Sequence, residues 1–132
     1  MSKPNEKIPE ERRKYVRIKK NFILSYSLKK SASIKYDITQ LKNISQGGMC
    51  FITTQKYERG TQLTIDLRTP YFADVTIFEG AVLESHEKLK NIIYETRIQF
   101  EQLSPQSEFL LKKLEEFFLK EQAQGGSSHE QD

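Results

Sequence analysis

The stretch from residue 42 to residue 51 carries the side chains best suited to hold a small polar molecule. Asn43 offers amide donors and an acceptor, and Ser45 a rotatable hydroxyl, groups that suit the edge of a purine. Gly47 and Gly48 follow, and without side chains they let another molecule approach the backbone. Asn, Ser and Gly are also ordinary turn residues, so this stretch alone predicts either a polar site or a plain turn.

A basic segment precedes this stretch by about thirty residues and favours a polar site over a plain turn. Arg13 and Arg17 stand four positions apart in it, and Arg12 comes directly before them. Guanidinium groups are planar and always charged, so they pair bidentately with phosphate or with the O6 and N7 edge of guanine. The arm and the polar turn together predict a clamp for an anionic ligand. We expect residues 12–20 to form an extended or loosely turned arm that packs lightly until a ligand orders it.

The two motifs together resemble those of the PilZ domain family. Its pattern is an arginine, three residues and a second arginine, and then Asp or Asn, any residue, Ser, two residues and Gly. Arg13 and Arg17 match the first part, and Asn43, Ser45 and Gly48 match the second. The resemblance implies a receptor for the bacterial second messenger cyclic di-GMP, with no cofactor besides that ligand.

The resemblance also implies a role for each matching residue. Arg13 and Arg17 would neutralise phosphate and grip or stack on guanine. Asn43 and Ser45 would meet the other guanine or the ring backbone of the ligand, and Gly48 would leave room for it.

Three further residues complete the predicted ligand site. Gly47 belongs to the polar turn, and in the family an arginine at the position of Arg12 accompanies binding of two stacked ligand molecules. Arg97 is a departure, because the sixth strand of the family usually has a glycine there. This arginine could crowd the pocket or add a contact to phosphate.

Hydrophobic periodicity predicts the elements that position these residues. Alternation with a period of two predicts six strands, which lie at about residues 22–28, 34–42, 49–54, 63–67, 75–82 and 92–100. We expect a glycine bulge near Gly80 and a polar turn at residues 86–90. Ser104 is the expected cap of a helix that begins at Pro105. The predicted fold is all-β with a C-terminal helix: a six-stranded antiparallel barrel of PilZ type.

Length and charge set the domain organisation. The chain has 132 residues, enough for one core. We expect a flexible lead-in at residues 1–10, a PilZ domain at 11–120 and a disordered tail at 121–132.

Residues 1–30 carry a net charge of +7 and the remainder −4, so the basic character is local and favours an anionic partner at that end. Without an apolar run long enough to span a membrane or a secretory signal, the expected location is the cytoplasm.

Other chemistries find little support. Cys50 is the single cysteine, and the two histidines, His86 and His129, are far apart, so no zinc spacing is present. Cys50 is better explained as a buried strand residue than as a nucleophile. We therefore expect neither an enzyme nor a metal site. A nucleic-acid binder could use the same basic arm, but no basic stripe continues beyond residue 30 and the aromatic residues fall mainly on core positions, so no specific nucleic acid is expected.

The function predicted from the sequence is that of a cyclic di-GMP receptor that changes conformation on binding and signals to a partner protein, whose identity the sequence does not give. The alternative is a PilZ-like adaptor that binds a protein partner without this ligand.

Overall fold

Alternating apolar and polar residues form six β-strands in the computed structural model, which describes residues 16–29 and 37–123. The strands are β1 (Ile23–Leu28), β2 (Asp37–Ile44), β3 (Gly48–Thr53), β4 (Gln62–Arg68), β5 (Thr76–Leu89) and β6 (Ile93–Phe100), and they are followed by helix α1 (Pro105–Ala123). They close into a barrel in the order β1-β2-β3-β6-β5-β4, and all neighbouring strands are antiparallel. The predicted fold is confirmed.

The inward faces of the strands supply the core. Tyr26 on β1 packs against Phe51 on β3, with 5.3 Å between the ring centroids. Removing one large apolar side chain from water contributes about 1.5–3 kcal/mol before entropic costs, so these faces dominate the stability of the barrel. The strands contribute the buried residues Leu24, Tyr26, Leu41, Ile44, Met49, Phe51, Leu63, Ile65, Leu67, Phe78, Val82 and Ile98.

Helix α1 packs against this core and begins where the sequence predicts. The amide of Ser107 donates to Ser104 Oγ at 3.1 Å, which is the bond expected of an N-cap. The Ser107 hydroxyl donates to the Ile77 carbonyl at 2.9 Å and ties the first turn of α1 to β5. Three leucines in the middle of the helix are buried: Leu110, Leu111 and Leu114.

The helix continues through Ala123 and so includes the first three residues of the predicted tail, 121–123. Residues 124–132 lie outside the described part of the chain, as do the predicted lead-in at residues 1–10 and the first part of the predicted second strand, residues 34–36. Within residues 16–29 and 37–123, no helix has the length and apolar content that a membrane crossing requires.

Strand β5 differs from its prediction. The sequence suggested that Val75 and Ile77 face inward and that the alternation slips near Gly80, but Ile77 is 54% exposed. The inward face keeps a period of two without interruption, through Thr76, Phe78, Gly80 and Val82. The apolar pattern gave the wrong inward face because that face contains a threonine and a glycine, whereas an isoleucine stands on the outer face.

The predicted polar turn at residues 86–90 is also wrong. Strand β5 continues to Leu89, and the reversal occurs around Asn91, whose φ is 61°. Asparagine tolerates this left-handed conformation better than most residues. The Asn91 amide donates to the Glu87 carboxylate at 2.7 Å, which fixes the turn.

The basic arm is held more firmly than expected. Its described part begins at residue 16, and Ile18 is 2% exposed instead of lightly packed. The Ile18 amide donates to the Ile44 carbonyl at 2.8 Å, and the Ile44 amide donates back at 3.0 Å. This part of the arm is therefore an extension of the sheet beside the end of β2.

Candidate functional site

The end of β2 is bent by a β-bulge next to Asn43. Leu41 pairs with Phe51, but Asn43 pairs with Cys50, so Lys42 is an extra residue with no partner on β3. A bulge re-aims the side chains that follow it. Asn43 comes directly after the bulge and lines the pocket described below.

The turn between β2 and β3 is closed by its own hydrogen bonds. The Ser45 amide donates to the Gly48 carbonyl at 2.9 Å, and the Gly47 amide donates to Ser45 Oγ at 3.1 Å. The Ser45 hydroxyl accepts in that bond, and within the described residues no bond uses its proton, so it can still donate to a ligand. The Phe100 amide donates to the Gly47 carbonyl at 3.0 Å and fixes the turn against the end of β6.

Gly48 is required by the close approach of β6. A Cβ at this position would lie 2.1 Å from the Ile98 carbonyl oxygen and 3.3 Å from Gln99 Cα. Any other residue would push β6 away from the turn.

Arg17 reaches this corner because of the Ile18 bridge. In an antiparallel pairing of Ile18 with Ile44, the preceding residue of one segment lies opposite the following residue of the other. Arg17 is therefore opposite Ser45. The arm and the polar turn, which the sequence separates, are neighbours in the fold.

An open pocket of about 350 Å³ lies at this corner, on the outer side of the barrel. It brings together six of the predicted site residues: Arg17, Asn43, Ser45, Gly47, Gly48 and Arg97. Arg12 and Arg13 lie outside the described residues. Four lining residues were missed by the sequence analysis: Met49, Leu83, Ile98 and Gln99. Gln99 stands two positions after Arg97 on the same outer face of β6, so once Arg97 is a candidate this spacing indicates Gln99 as well.

Acidic side chains partly neutralise the cations near the pocket. Arg97 Nε lies 3.4 Å from the carboxylate of Glu84, whose side chain is 61% exposed. Lys42 Nζ lies 2.9 Å from the Glu95 carboxylate. This bond raises the pKa of Lys42 and lowers that of Glu95. Both groups of the Lys42–Glu95 pair are therefore charged at neutral pH.

Cys50 lies under these charges but is not activated by them. Burial raises the pKa of its thiol, and the positive charges of Arg97, Lys42 and Arg17 oppose this only in part. A nucleophilic cysteine needs the reverse, a pKa lowered toward neutrality. Among the described residues, no group of three or more His, Cys, Asp and Glu side chains could hold a metal ion.

A second hollow, of about 560 Å³, lies between the outer face of β5 and the connection from β6 to α1. Its lining contains no arginine or lysine, and its one charged residue is Glu79. It does not suit an anionic ligand, so the smaller pocket is the candidate site.

Comparison with known protein families gives a match over nearly the whole chain. The PilZ domain family model matches residues 11–119. No curated protein sequence matches the chain.

Several solved structures share the fold. The Bacillus subtilis inhibitor of motility, MotI/DgrA, superposes with a TM-score of 0.66 at 20% identity, covering 89% of this chain and 57% of that one. The PilZ domain of Escherichia coli YcgR, solved with c-di-GMP, gives 0.65 at 20% identity, over 89% of this chain and 98% of that domain. Longer YcgR from the same organism, also in complex with c-di-GMP, gives 0.59 at 22% identity, over 88% and 49%. The chain thus spans about half the length of MotI and of the longer YcgR.

Proposed function

Because the chain belongs to the PilZ domain family, we propose that it is a receptor for cyclic di-GMP and that the bound ligand alters the surface presented to a partner protein. The observation that carries the proposal is one pocket lined by both Arg17 and the Asn43–Ser45 corner. PilZ domains are binding and adaptor modules, so the proposal contains no chemical step.

The groups in the pocket suit the chemistry of this ligand. Cyclic di-GMP carries two phosphates and two guanines. The Arg17 guanidinium offers a fork of donors for phosphate or for O6 and N7 of guanine, and Arg13 would supply a second fork from the arm. Asn43 can donate to and accept from a guanine edge, and the Ser45 hydroxyl can donate to it.

Arg97 is assigned to the ligand as an additional phosphate contact. Its partner Glu84 has a 61% exposed side chain, and ion pairs exposed to water contribute little. A phosphate arriving at the pocket can therefore replace Glu84 at modest cost. Of the two roles that the sequence leaves open for Arg97, we therefore propose that it contacts phosphate and does not crowd the pocket.

Calorimetric titration with cyclic di-GMP tests the proposal. The wild type should bind, and Arg13→Ala, Arg17→Ala and Asn43→Ala should each bind more weakly. Loss of a hydrogen bond to a charged group costs about 1.5–3 kcal/mol, so each arginine variant should raise Kd about ten- to a hundredfold. Cyclic di-AMP should bind less well, because adenine has an amino donor where guanine has the O6 acceptor.

The matched control for the arginine variants is Arg68→Ala. Arg68 is exposed on β4, which is not adjacent to β3 or β6 in the barrel, and it does not line the pocket. It should bind as the wild type does. Equal heats for the wild type and the three site variants would contradict the proposal.

An adaptor without this ligand remains the second candidate, because α1 and the loop before β5 expose aromatic side chains. Tyr71 packs on Phe117 with centroids 5.0 Å apart, yet the two residues are 40% and 36% exposed, and Phe109 is 51% exposed. Exposed apolar surface of this kind is typical of protein interaction sites. Absence of any heat with the folded wild type would favour the adaptor.

A further inference from the structure

Helix α1 contacts the pocket turn through a residue that does not line the pocket. Gln46 stands between two lining residues, Ser45 and Gly47, but does not itself line the pocket. Its side chain points to the helix, where Nε2 donates to the Glu115 carboxylate in a partly buried hydrogen bond. A bond to a carboxylate is stronger than one between neutral groups, particularly when partly shielded from water.

The same helix also contacts the arm. Lys20, three residues after Arg17, forms an ion pair with Glu121 at 3.5 Å. Both side chains are substantially exposed, so this pair is the weaker of the two contacts. The arm and the turn, which both supply polar groups to the pocket, are thus each attached to the C-terminal half of α1.

The other half of α1 is anchored to the barrel. The Ser107 hydroxyl holds the first turn against Ile77, and Leu110, Leu111 and Leu114 are buried in the core. Glu115 follows directly after the last of these leucines. Its carboxylate is therefore presented to Gln46 from a fixed support and not from a loose end.

We propose that Glu115, acting through Gln46, is a positioning residue of the ligand pocket. Its carboxylate holds the middle of the turn, so that Ser45 and Gly47 on either side keep the geometry a ligand requires. The effect of Glu115 on affinity for cyclic di-GMP rests on the function proposed above. Its effect on the turn holds in the free protein as well.

Binding measurements on four variants test the effect on affinity. Glu115→Ala and Gln46→Ala should each raise the Kd for cyclic di-GMP about fivefold, the low end of usual coupling between sites. The double variant should be no weaker than either single variant, because both remove the same bond. Glu115→Gln keeps an acceptor oxygen and should stay within about twofold of the wild type.

The neighbouring residue provides the control. Glu116 is exposed and its carboxylate lies 3.7 Å from Nζ of Lys113, which stands about one turn earlier in the helix, so Glu116→Ala should leave Kd unchanged. Wild-type affinity in Glu115→Ala would overturn the proposal. Additive losses in the double variant would do so too, since they would mean that the two side chains act separately.

Amide hydrogen exchange in the free protein separates this proposal from the proposed function. The amides of Ser45, Gly47 and Phe100 all bond within or to the turn and report on its opening. Glu115→Ala should speed their exchange severalfold without affecting amides at the centre of β4, and Glu116→Ala should not. If cyclic di-GMP does not bind the wild type, the proposed function fails and this measurement still decides: unchanged exchange at the turn excludes a positioning role.

Discussion

Position 48 shows how strongly one residue can depend on its neighbours. Gly48 begins β3, pairs with Gln99 and approaches the Ile98 carbonyl so closely that a methyl group does not fit. The obstacle is backbone, which cannot rotate away as a side chain could. The glycine is therefore needed for the barrel itself, apart from the role proposed for it in the ligand site.

We predict that Gly48→Ala lowers the free energy of unfolding by about 1–3 kcal/mol, the usual cost of inserting a methyl group into a packed site. Denaturant titration followed by circular dichroism measures it. Gly60→Asn is the comparison for a glycine without a steric obstacle, because no atom lies within 4 Å of an added Cβ. Its cost comes from the φ of 91°, which asparagine tolerates better than most residues, so its loss of stability should be smaller. An unfolding midpoint of Gly48→Ala equal to that of the wild type would show that β6 can shift without cost.

Among single residues, the sequence predicts the polar pocket residues that belong to a local pattern, and apart from Arg97 it misses those supplied by β5 and β6. Asn43, Ser45 and Gly48 form a local pattern, and Arg17 is recognisable by its spacing from Arg13. Leu83 and Ile98 enter the pocket because β5 and β6 pair with each other and β6 pairs with β3. That register is a long-range property which no local pattern contains.

The start of α1 depends on a short chain of hydroxyl groups. Ser104 Oγ accepts from the Ser107 amide, Ser104 Oγ also lies 3.0 Å from Ser107 Oγ, and Ser107 in turn bonds to the Ile77 carbonyl. Ser107 is fully buried. The cap therefore both starts the helix and attaches it to β5.

We predict that Ser104→Ala destabilises the protein by about 1 kcal/mol, the typical cost of losing an N-cap side chain. Ser104→Asp keeps an acceptor oxygen and adds a negative charge at the positive end of the helix, so it should be close to the wild type. The comparison is made by thermal unfolding of the three proteins. Similar losses in both variants would mean that Ser104 acts through its own hydroxyl donor and not as a cap.

The start of α1 depends on local signals and is predicted correctly, whereas the end of β5 depends on pairing and is not. Ser104 and Pro105 mark the helix start by residue type alone. Residues 86–90 are mostly polar and resemble a turn, yet 86–89 extend β5 because β6 is long enough to pair with them, Glu95 with His86 and Tyr94 with Glu87. The chain reverses only where Asn91 permits it.

The barrel buries an ionisable side chain, the phenol of Tyr57. Tyr57 is 9% exposed and meets Tyr26 edge to face, with 6.2 Å between ring centroids. Burial, followed by the nearby Tyr26 and Asp37, raises the pKa of Tyr57 to about 12. The unfolded chain has a tyrosine pKa of about 10.

We predict that stability falls as pH rises from about 10 to 12, because the unfolded chain then releases the Tyr57 proton while the folded barrel retains it. Tyr57→Phe has no proton to release at this position and should show a shallower fall. Free energies of unfolding measured from pH 8 upward compare the two slopes. Parallel curves would show that Tyr57 ionises as readily in the folded barrel as in the unfolded chain.

Closure of the sheet also limits how another protein could bind to the barrel. Each of the six strands in residues 16–29 and 37–123 has a neighbour on both sides, since β1 and β4 complete the ring. Many regulatory proteins recognise a target by adding one of its segments as an extra strand, which requires a row of unused main-chain donors and acceptors. Here that route would require breaking an existing ladder. Any protein that bound the six strands of the barrel would instead contact side chains, so its specificity could evolve on the outer surface while the hydrogen-bonded frame stays the same.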